Sequence, residues 1–545
     1  MSSYVHGASN ISLIGDTIGD LLDRIAETYP QHEALVSCAQ QVRYTYPDFA
    51  RVCDEAARGL IALGVAPGDR VGIWATNSAQ WAISQFAAAK IGAILVNVNP
   101  AYRTSELAYA LRQSGVSVLL LQSTYKSSEY LDMLEEVRPE LADLRCAVTV
   151  DDGEPARDGD LRWHDLIALA ASVDAQTLRS RQNATQCDEP VNIQYTSGTT
   201  GSPKGATLSH HNIVNNALMI GETLHYTSED RVCVPVPFYH CFGSVLGTLG
   251  CVTHGATIVI PAPTFDPRAT LEAVQRERCT SLYGVPTMFI AELSLPNFAT
   301  YDLTSLRTGI MAGAPCPIEV MKRVRGEMHM NEVTIAYGMT ETSPCSFQCA
   351  TDDPVEKRVS TVGCVHPHVE AKIVDERGAT VARGVAGEIC TRGYVVMLGY
   401  WNDPASTAAA IDSAGYMHTG DVGALDEEGY LTVSGRVKDM VIRGGENIYP
   451  REIEEFLFRH PAIRDVSVVG VPDETYGEQL CAWVIVHEGA ALSEDELKEF
   501  CSGRIAHFKI PHYVRFTEAF PMTVTGKIQK FKLREMFEAI SAVSS

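Results

Sequence analysis

From Thr17 onward the apolar positions recur with two alternating periods. Spacings of three and four residues, the signature of one helix face, run near Thr17–Tyr29, Tyr46–Leu63, Ala79–Ile91, Ser105–Gln113 and Tyr125–Val137. Between them lie short β-rich runs at Val71–Trp74, Ile94–Val98, Val116–Leu121 and Ala147–Val150. Strands alternating with helices predict parallel sheets covered on both faces. A polar stretch, Asp151–Asp160, and a weakly helical region to Asn183 close this series. A second βα series follows: strands at Arg231–Val236, Ala256–Ile260 and Ser281–Gly284, and helices near Ser244–Val252, from Pro267 and from Thr287. Two such series predict two stacked sheets with a cleft between them. After about Pro354 the pattern changes to short strands with Gly and Asp turns, at Glu370–Val374, Gly387–Thr391 and Gly429–Val433, which predicts a small antiparallel barrel or sheet near 354–435. A new unit begins at Lys438, with strands at Val466–Val471, Leu480–Val486 and Pro511–Phe516 and a helix from Ser493. The expected fold is therefore α/β: a large N-terminal domain, 1–437, of two stacked βα sheets plus the small barrel, and a smaller α+β C-terminal domain, 438–545.

Composition changes this picture in three places. At 545 residues the chain exceeds what one core supports. A formal charge of −23 argues against nucleic acid or an anionic membrane surface as the main partner, so phosphate ligands must find their positive field in a few local residues. The fifteen cysteines are scattered singly with no CxxC pair, which predicts reduced, mostly buried thiols in a cytoplasmic protein and no metal site built from cysteine. Residues 1–23 lack a basic-then-apolar signal layout, and Phe242–Ile260, the most apolar long window, is interrupted by glycines, threonines and His254, so no membrane span is expected.

Candidate chemistry centres on Tyr195-Thr196-Ser197-Gly198-Thr199-Thr200-Gly201-Ser202-Pro203-Lys204-Gly205. A β-branched run from Val191 leads into it, and a helix from His210, N-capped by Ser209, follows. Small residues let backbone N–H groups approach an anion, the hydroxyls add donors, and Lys204 adds charge. The Walker motif puts its lysine directly at a helix start. Here Pro203 and Gly205 flank Lys204, so this is a phosphate loop of another design.

Other stretches carry the small, polar signature of ligand loops. Gly313-Ala314-Pro315 follows a strand end and could lie against a planar base. In Ala336-Tyr337-Gly338-Met339-Thr340-Glu341, Tyr337 can stack, Thr340 can donate to a phosphate, and Glu341 is a hard oxygen ligand suited to Mg²⁺. Asp421, read in a turn, can accept ribose hydroxyls. Arg436 and Lys438, alone, read as a solvated charge cluster, and Lys527 as a lysine on a threonine-glycine loop.

In their order along essentially the whole chain, these motifs closely resemble the adenylate-forming, AMP-binding superfamily of acyl-CoA synthetases, adenylation domains and luciferases. Arg443–Pro450, Met397-Leu398-Gly399-Tyr400-Trp401 and Gly526–Lys530 look most like medium- and long-chain fatty-acyl-CoA ligases of the acyl-CoA synthetase family member 2 type. The resemblance implies ATP, Mg²⁺ and CoA as ligands and a mobile C-terminal domain hinged at Lys438. Its phosphate loop falls on Thr196–Lys204, its adenine contacts on Gly313–Pro315 and Ala336–Thr340, its magnesium ligand on Glu341, and its ribose contacts on Asp421 and Arg436. Its pantetheine loop falls on Gly444-Gly445-Glu446-Asn447 and its catalytic lysine on Lys527. Phe238, Tyr239 and His240 are expected to line an acyl pocket, because a neutral histidine among aromatics suits an uncharged acyl group.

The implied reaction activates a fatty acid as acyl-AMP, releases pyrophosphate, and passes the acyl group to CoA. An aryl-CoA ligase, a fatty-acyl-AMP ligase loading a carrier protein, and a non-catalytic nucleotide-binding protein remain the alternatives. Oligomeric state, a homodimer included, stays open.

Overall fold

The computed structural model describes the chain except residues 152, 156, 197–202, 315, 444–445, 474–475, 523–527 and 545, and gives the backbone alone for 446–447 and 541–544. Two large sheets carry the two βα series. In the eight-stranded sheet the order is Leu161–Arg162, Cys146–Thr149, Val116–Leu121, Arg70–Trp74, Ile94–Asn97, Pro190–Thr196, Lys204–Ser209 and Gly399–Tyr400. The first six run parallel and the last two add antiparallel strands at one edge. In the nine-stranded sheet the parallel centre is Glu332–Gly338, Thr308–Ala312, Ser281–Gly284, Arg231–Cys233, Thr257–Ile260 and Glu33–Ser37. The β-rich runs are near-continuously buried, as strands covered on both faces must be.

Helix boundaries follow the caps written in the sequence. Thr17 accepts from Asp20 N at the start of Ile18–Thr28, and Ser209 forms a reciprocal capping box with Asn212 at the start of His210–Thr223. The helices Ile18–Thr28, Tyr46–Ala62 and Ala79–Lys90 share one core with residues of both sheets, in which Trp81 packs edge-on against Phe238 at 5.5 Å. Lys90, fully buried on Ala79–Lys90, is held by Asp23 at 2.5 Å and Asp54 at 2.6 Å, one from each of the other two helices.

The expected helix near Ser244–Val252 takes a different form. Phe242–Leu249 is a π-helix, and only Gly250–Val252 continues as α. Its glycines explain the close fit: a Cβ on Gly243 would fall 2.3 Å from Pro237 O, and one on Gly247 would fall 2.7 Å from Val234. The helix expected over Tyr125–Val137 begins only at Tyr130, after two short strands, Thr124–Tyr125 and Ser128–Glu129.

A five-stranded sheet orders Tyr4–His6, Val369–Val374, Gly387–Gly393, Met417–Leu425 and Leu431–Arg436. By contacts the chain divides into Val5–Ala371 with Thr391–Met417, and Met1–Tyr4 with Lys372–Cys390 and His418–Ser545. In the second unit the hairpin Ile463–Asp473 and Gly477–Val486 sends alternate residues to two faces. Val466, Val468, Ala482 and Val484 meet Ile453, Leu457 and Leu497. Val469, Val471, Cys481 and Trp483 meet Leu533 and Phe537. Among the described residues no helix is long and apolar enough to cross a membrane.

One buried carboxyl makes the larger unit's stability sensitive to pH. Glu292, on the helix Pro286–Leu293, is fully buried, and its Oε2 has no hydrogen-bond partner among the described residues. Burial pushes its carboxyl well above the usual range, so the folded chain keeps the proton that the unfolded chain loses above about pH 4.5. The folded pKa is the raised one; its contribution is complete below the unfolded pKa and is lost as pH rises toward the folded pKa, at about 1.4 kcal/mol per pH unit. Glu292→Gln removes this dependence. Its melting temperature should therefore gain on the wild type as pH rises above the unfolded pKa; a difference that does not change with pH would refute the buried neutral acid.

Candidate active site

The strand Pro190–Thr196 of the eight-stranded sheet ends at Thr196, and the strand Glu332–Gly338 of the nine-stranded sheet ends just before Thr340–Thr342. The C-terminal ends of parallel strands are where open α/β sheets present ligand crevices. Here the two ends are joined directly. Thr196 Oγ1 donates to Glu341 Oε1 at 3.2 Å, and Tyr400 Oη donates to the same oxygen at 3.0 Å. Lys204 Nζ lies 5.1 Å from the Tyr400 ring centroid. Burial, and then the Glu341 charge, push the Tyr400 phenol up, so Tyr400 stays a hydrogen-bond donor.

Backbone geometry pins Glu341. Gly338 permits the sharp exit from its strand, because a Cβ there would fall 1.7 Å from Pro344 O. Met339 N donates to Thr342 Oγ1 at 3.2 Å, closing the turn, and Glu341 O accepts from Met397 N at 3.0 Å. Glu341 is consequently 4% exposed. Tyr400 is brought in by the edge strand Gly399–Tyr400, paired to Ala206 and Thr207. Sequence reasoning placed no role on Tyr400; the hint lay in Met397–Trp401, but only the pairing shows which way its hydroxyl points.

Of the expected adenine-side residues, Gly313 follows the strand Thr308–Ala312 with φ +87°, a left-handed conformation that glycine takes without strain. Gly313 and Ala314 are exposed, and Ala336 and Tyr337 are half-buried, the Tyr337 ring 6.2 Å from Phe347.

In the expected acyl segment, His240 Nδ1 accepts from Phe242 N at 3.1 Å and lies 3.5 Å from Cys241 Sγ, which in turn lies 3.7 Å from Thr340 Oγ1. Because Nδ1 accepts, the imidazole is neutral and carries its proton on Nε2. Tyr239 offers its carbonyl to Asn97 Nδ2 at 3.1 Å, and its buried hydroxyl has no hydrogen-bond partner among the described residues. Phe238 is fully buried against Trp81.

In the second unit, Asp421 lies in the strand Met417–Leu425 and not in the expected turn. It pairs in register with Arg436, and Arg436 Nε stands 3.2 Å from Asp421 Oδ1. Gly420, with a φ of +69°, lies inside that strand just before Asp421. Lys438 lies in the single turn Val437–Asp439, bridged by Met440 N donating to Arg436 O at 3.1 Å. Glu446 begins the short strand Glu446–Ile448. Ser197, Gly198, Thr199, Thr200, Gly201, Ser202, Pro315, Gly444, Gly445 and Lys527 lie outside the described residues.

A sequence profile of the AMP-binding enzymes matches residues 22–401, and that of the AMP-binding enzyme C-terminal domain matches 452–527. The chain belongs to the AMP-binding enzyme family. Among the members of this AMP-binding family it is 49% identical to the putative acyl-CoA synthetase YngI of Bacillus subtilis, over 96% of this chain and 97% of that one. It is 45% identical to the mitochondrial medium-chain acyl-CoA ligase ACSF2 of Danio rerio, over 98% of this chain and 91% of that one. The crystal structure of the anthranilate CoA ligase AuaEII with anthranoyl-AMP superposes with a TM-score of 0.87 at 27% identity, covering 98% of this chain and 99% of that one.

Proposed function

We propose that this AMP-binding enzyme is a medium- to long-chain fatty-acid–CoA ligase. The observation that carries the reading is the junction of Thr196, Glu341, Tyr400 and Lys204 at the meeting ends of two sheets, within a chain whose relatives are acyl-CoA synthetases. A carboxylate is a poor acyl donor because its leaving group would be oxide. In the first half-reaction a carboxylate oxygen bonds to the α-phosphorus of ATP while the bond to the bridging oxygen of pyrophosphate breaks. In the second the CoA thiol sulfur attacks the acyl carbon, the C–O bond to AMP breaks, and the thiol proton leaves.

The first step sets an anion against an anion, a problem of alignment and electrostatics. Lys204 and the 196–204 loop hold the departing phosphates, and Lys527 screens the α-phosphate. Gly313–Pro315 and Ala336–Met339 cradle the base, and Asp421 and Arg436 hold the ribose. Thr340 donates to a phosphate. Glu341, with its two hydroxyl donors, offers a hard-oxygen environment that fits Mg²⁺; bound there, the ion would neutralise phosphate charge. For the second step the domain 438–545 turns about Lys438, exchanging Lys527 for Gly444–Glu446, whose glycines let pantetheine pass. Phe238, Tyr239 and neutral His240 face the acyl chain. A reducing compartment, the cytoplasm, suits the scattered and mostly buried thiols.

Pyrophosphate release with acids from acetate to stearate, with aryl acids and amino acids, and with and without CoA, tests the assignment. Each buried methylene is worth about 0.8 kcal/mol, so kcat/KM should climb about fourfold per carbon and peak at roughly six to fourteen carbons. A thioester should form when CoA is present. Anthranilate or an amino acid exceeding every alkyl acid would overturn the substrate class, and turnover to a thioester only on a carrier protein would overturn the acceptor.

A further inference from the structure

A second cluster of reactive side chains includes His418, on the strand Met417–Leu425 that also carries Asp421. Gly387–Gly393 and Met417–Leu425 are neighbouring strands, and they bring Glu388, Cys390 and His418 together so that one ligand atom of each lies within 4.8 Å of the others. His418 Nδ1 is 2.8 Å from Glu388 Oε2 and 3.5 Å from Cys390 Sγ. Cys390 is fully buried, whereas the Glu388 and His418 side chains are 26% and 30% exposed, so the cluster is open to solvent on one side. The scattered single cysteines predicted no metal site built from cysteine; adjacent strands supply the proximity that chain spacing does not.

Two chemistries use a thiol, an imidazole and a carboxylate. A proton relay runs through the imidazole, with the carboxylate on one nitrogen and the thiol on the other. Here the carboxylate and the thiol both sit on Nδ1, so this pair is not arranged as such a relay. Three donors converging on one point is instead the arrangement of a chelate. With Zn–S of about 2.3 Å, Zn–N of about 2.05 Å and a tetrahedral angle, sulfur and nitrogen ligands stand about 3.5 Å apart. The Cys390–His418 separation is 3.5 Å. Nitrogen and oxygen ligands would stand about 3.3 Å apart, so the 2.8 Å contact of Glu388 must lengthen by about 0.5 Å as its hydrogen bond gives way.

We propose that Glu388, Cys390 and His418 form a binding site for a thiophilic divalent cation, zinc being the fitting ion, with water as the fourth ligand. Thiolate and imidazole favour zinc over magnesium, which takes oxygen ligands. Binding displaces the protons on His418 Nδ1 and Cys390 Sγ, because the metal takes deprotonated ligands. Glu388 links the site to the ribose strand. Its other oxygen, Oε1, accepts from Gly420 N at 3.1 Å, next to Asp421. Drawing Glu388 toward a metal therefore pulls on the backbone that carries Asp421, so zinc is expected to weaken nucleotide binding.

The test is titration of the reduced, chelator-treated full-length chain with Co²⁺, followed by competition with Zn²⁺. The expected result is one tight site with a thiolate-to-cobalt charge-transfer band that zinc removes. Cys390→Ser should abolish the band, and His418→Gln should weaken binding by about 100-fold or more. An unchanged thermal transition certifies the fold of each variant, and His418→Gln decides if Cys390→Ser does not fold. A wild-type chain with no such band, or a folded variant of either residue that keeps wild-type affinity, overturns the site. Metal binding is read by absorbance, so neither outcome depends on the ligase activity.

Discussion

Lys527→Ala will slow acyl-adenylate formation about 10²–10³-fold, the usual cost of removing one well-placed electrostatic donor, and will leave thioester formation from isolated acyl-adenylate close to the wild-type rate. The asymmetry follows from where charge is concentrated. Repulsion between carboxylate and α-phosphate exists only in the first half-reaction; in the second, the attacking group is a thiol and the adenylate is already formed. Lys438→Pro should give the opposite result. Proline disfavours the helical conformation at the preceding Val437, and Val437–Asp439 is a single turn. Adenylate should form and then accumulate, because the domain change fails. Single-turnover chemistry on both variants checks the pair. Equal slowing of both half-reactions by Lys527→Ala would remove the proposed division of labour.

Glu341→Gln should cost at least about 10²-fold in ATP–pyrophosphate exchange and should raise the Mg²⁺ concentration needed for half-maximal rate. The Glu341 carboxylate is buried and takes hydroxyl protons from Thr196 and Tyr400 on one oxygen. The amide of glutamine keeps one acceptor but loses the charge that makes the site attractive to a hard cation. Tyr400→Phe should shift the same magnesium dependence by less, since it removes one hydrogen bond to a charged group, worth about 1.5–3 kcal/mol. A Glu341→Gln enzyme with unchanged exchange and magnesium dependence would show that Glu341 serves the fold alone.

What the sequence made legible was local and periodic. Ser209 announced its helix because a cap is a contact between residues three apart. The parallel strands announced themselves because burial on both faces demands continuous apolar runs. The π-helical Phe242–Leu249 was not legible, because an apolar, glycine-spaced run fits either helix. The strand Tyr4–His6 was equally hidden, since it joins Val369–Val374 from the far end of the chain. At the site, motif order pointed to Thr196, Lys204 and Glu341, whereas the position of Tyr400, Asp421 within a strand, and the Glu388–Cys390–His418 cluster depend on pairing between strands distant in sequence.

The central claim is that the acid's own oxygen becomes bonded to the α-phosphorus of ATP. Turnover of a medium-chain acid labelled with ¹⁸O in its carboxylate, in the presence of ATP and CoA, tests it directly by mass spectrometry of the products. Acyl adenylation followed by thiol attack at the acyl carbon leaves one ¹⁸O on the phosphate of AMP and unlabelled pyrophosphate. Label in inorganic phosphate with ADP as the nucleotide product, or AMP without label, would contradict it.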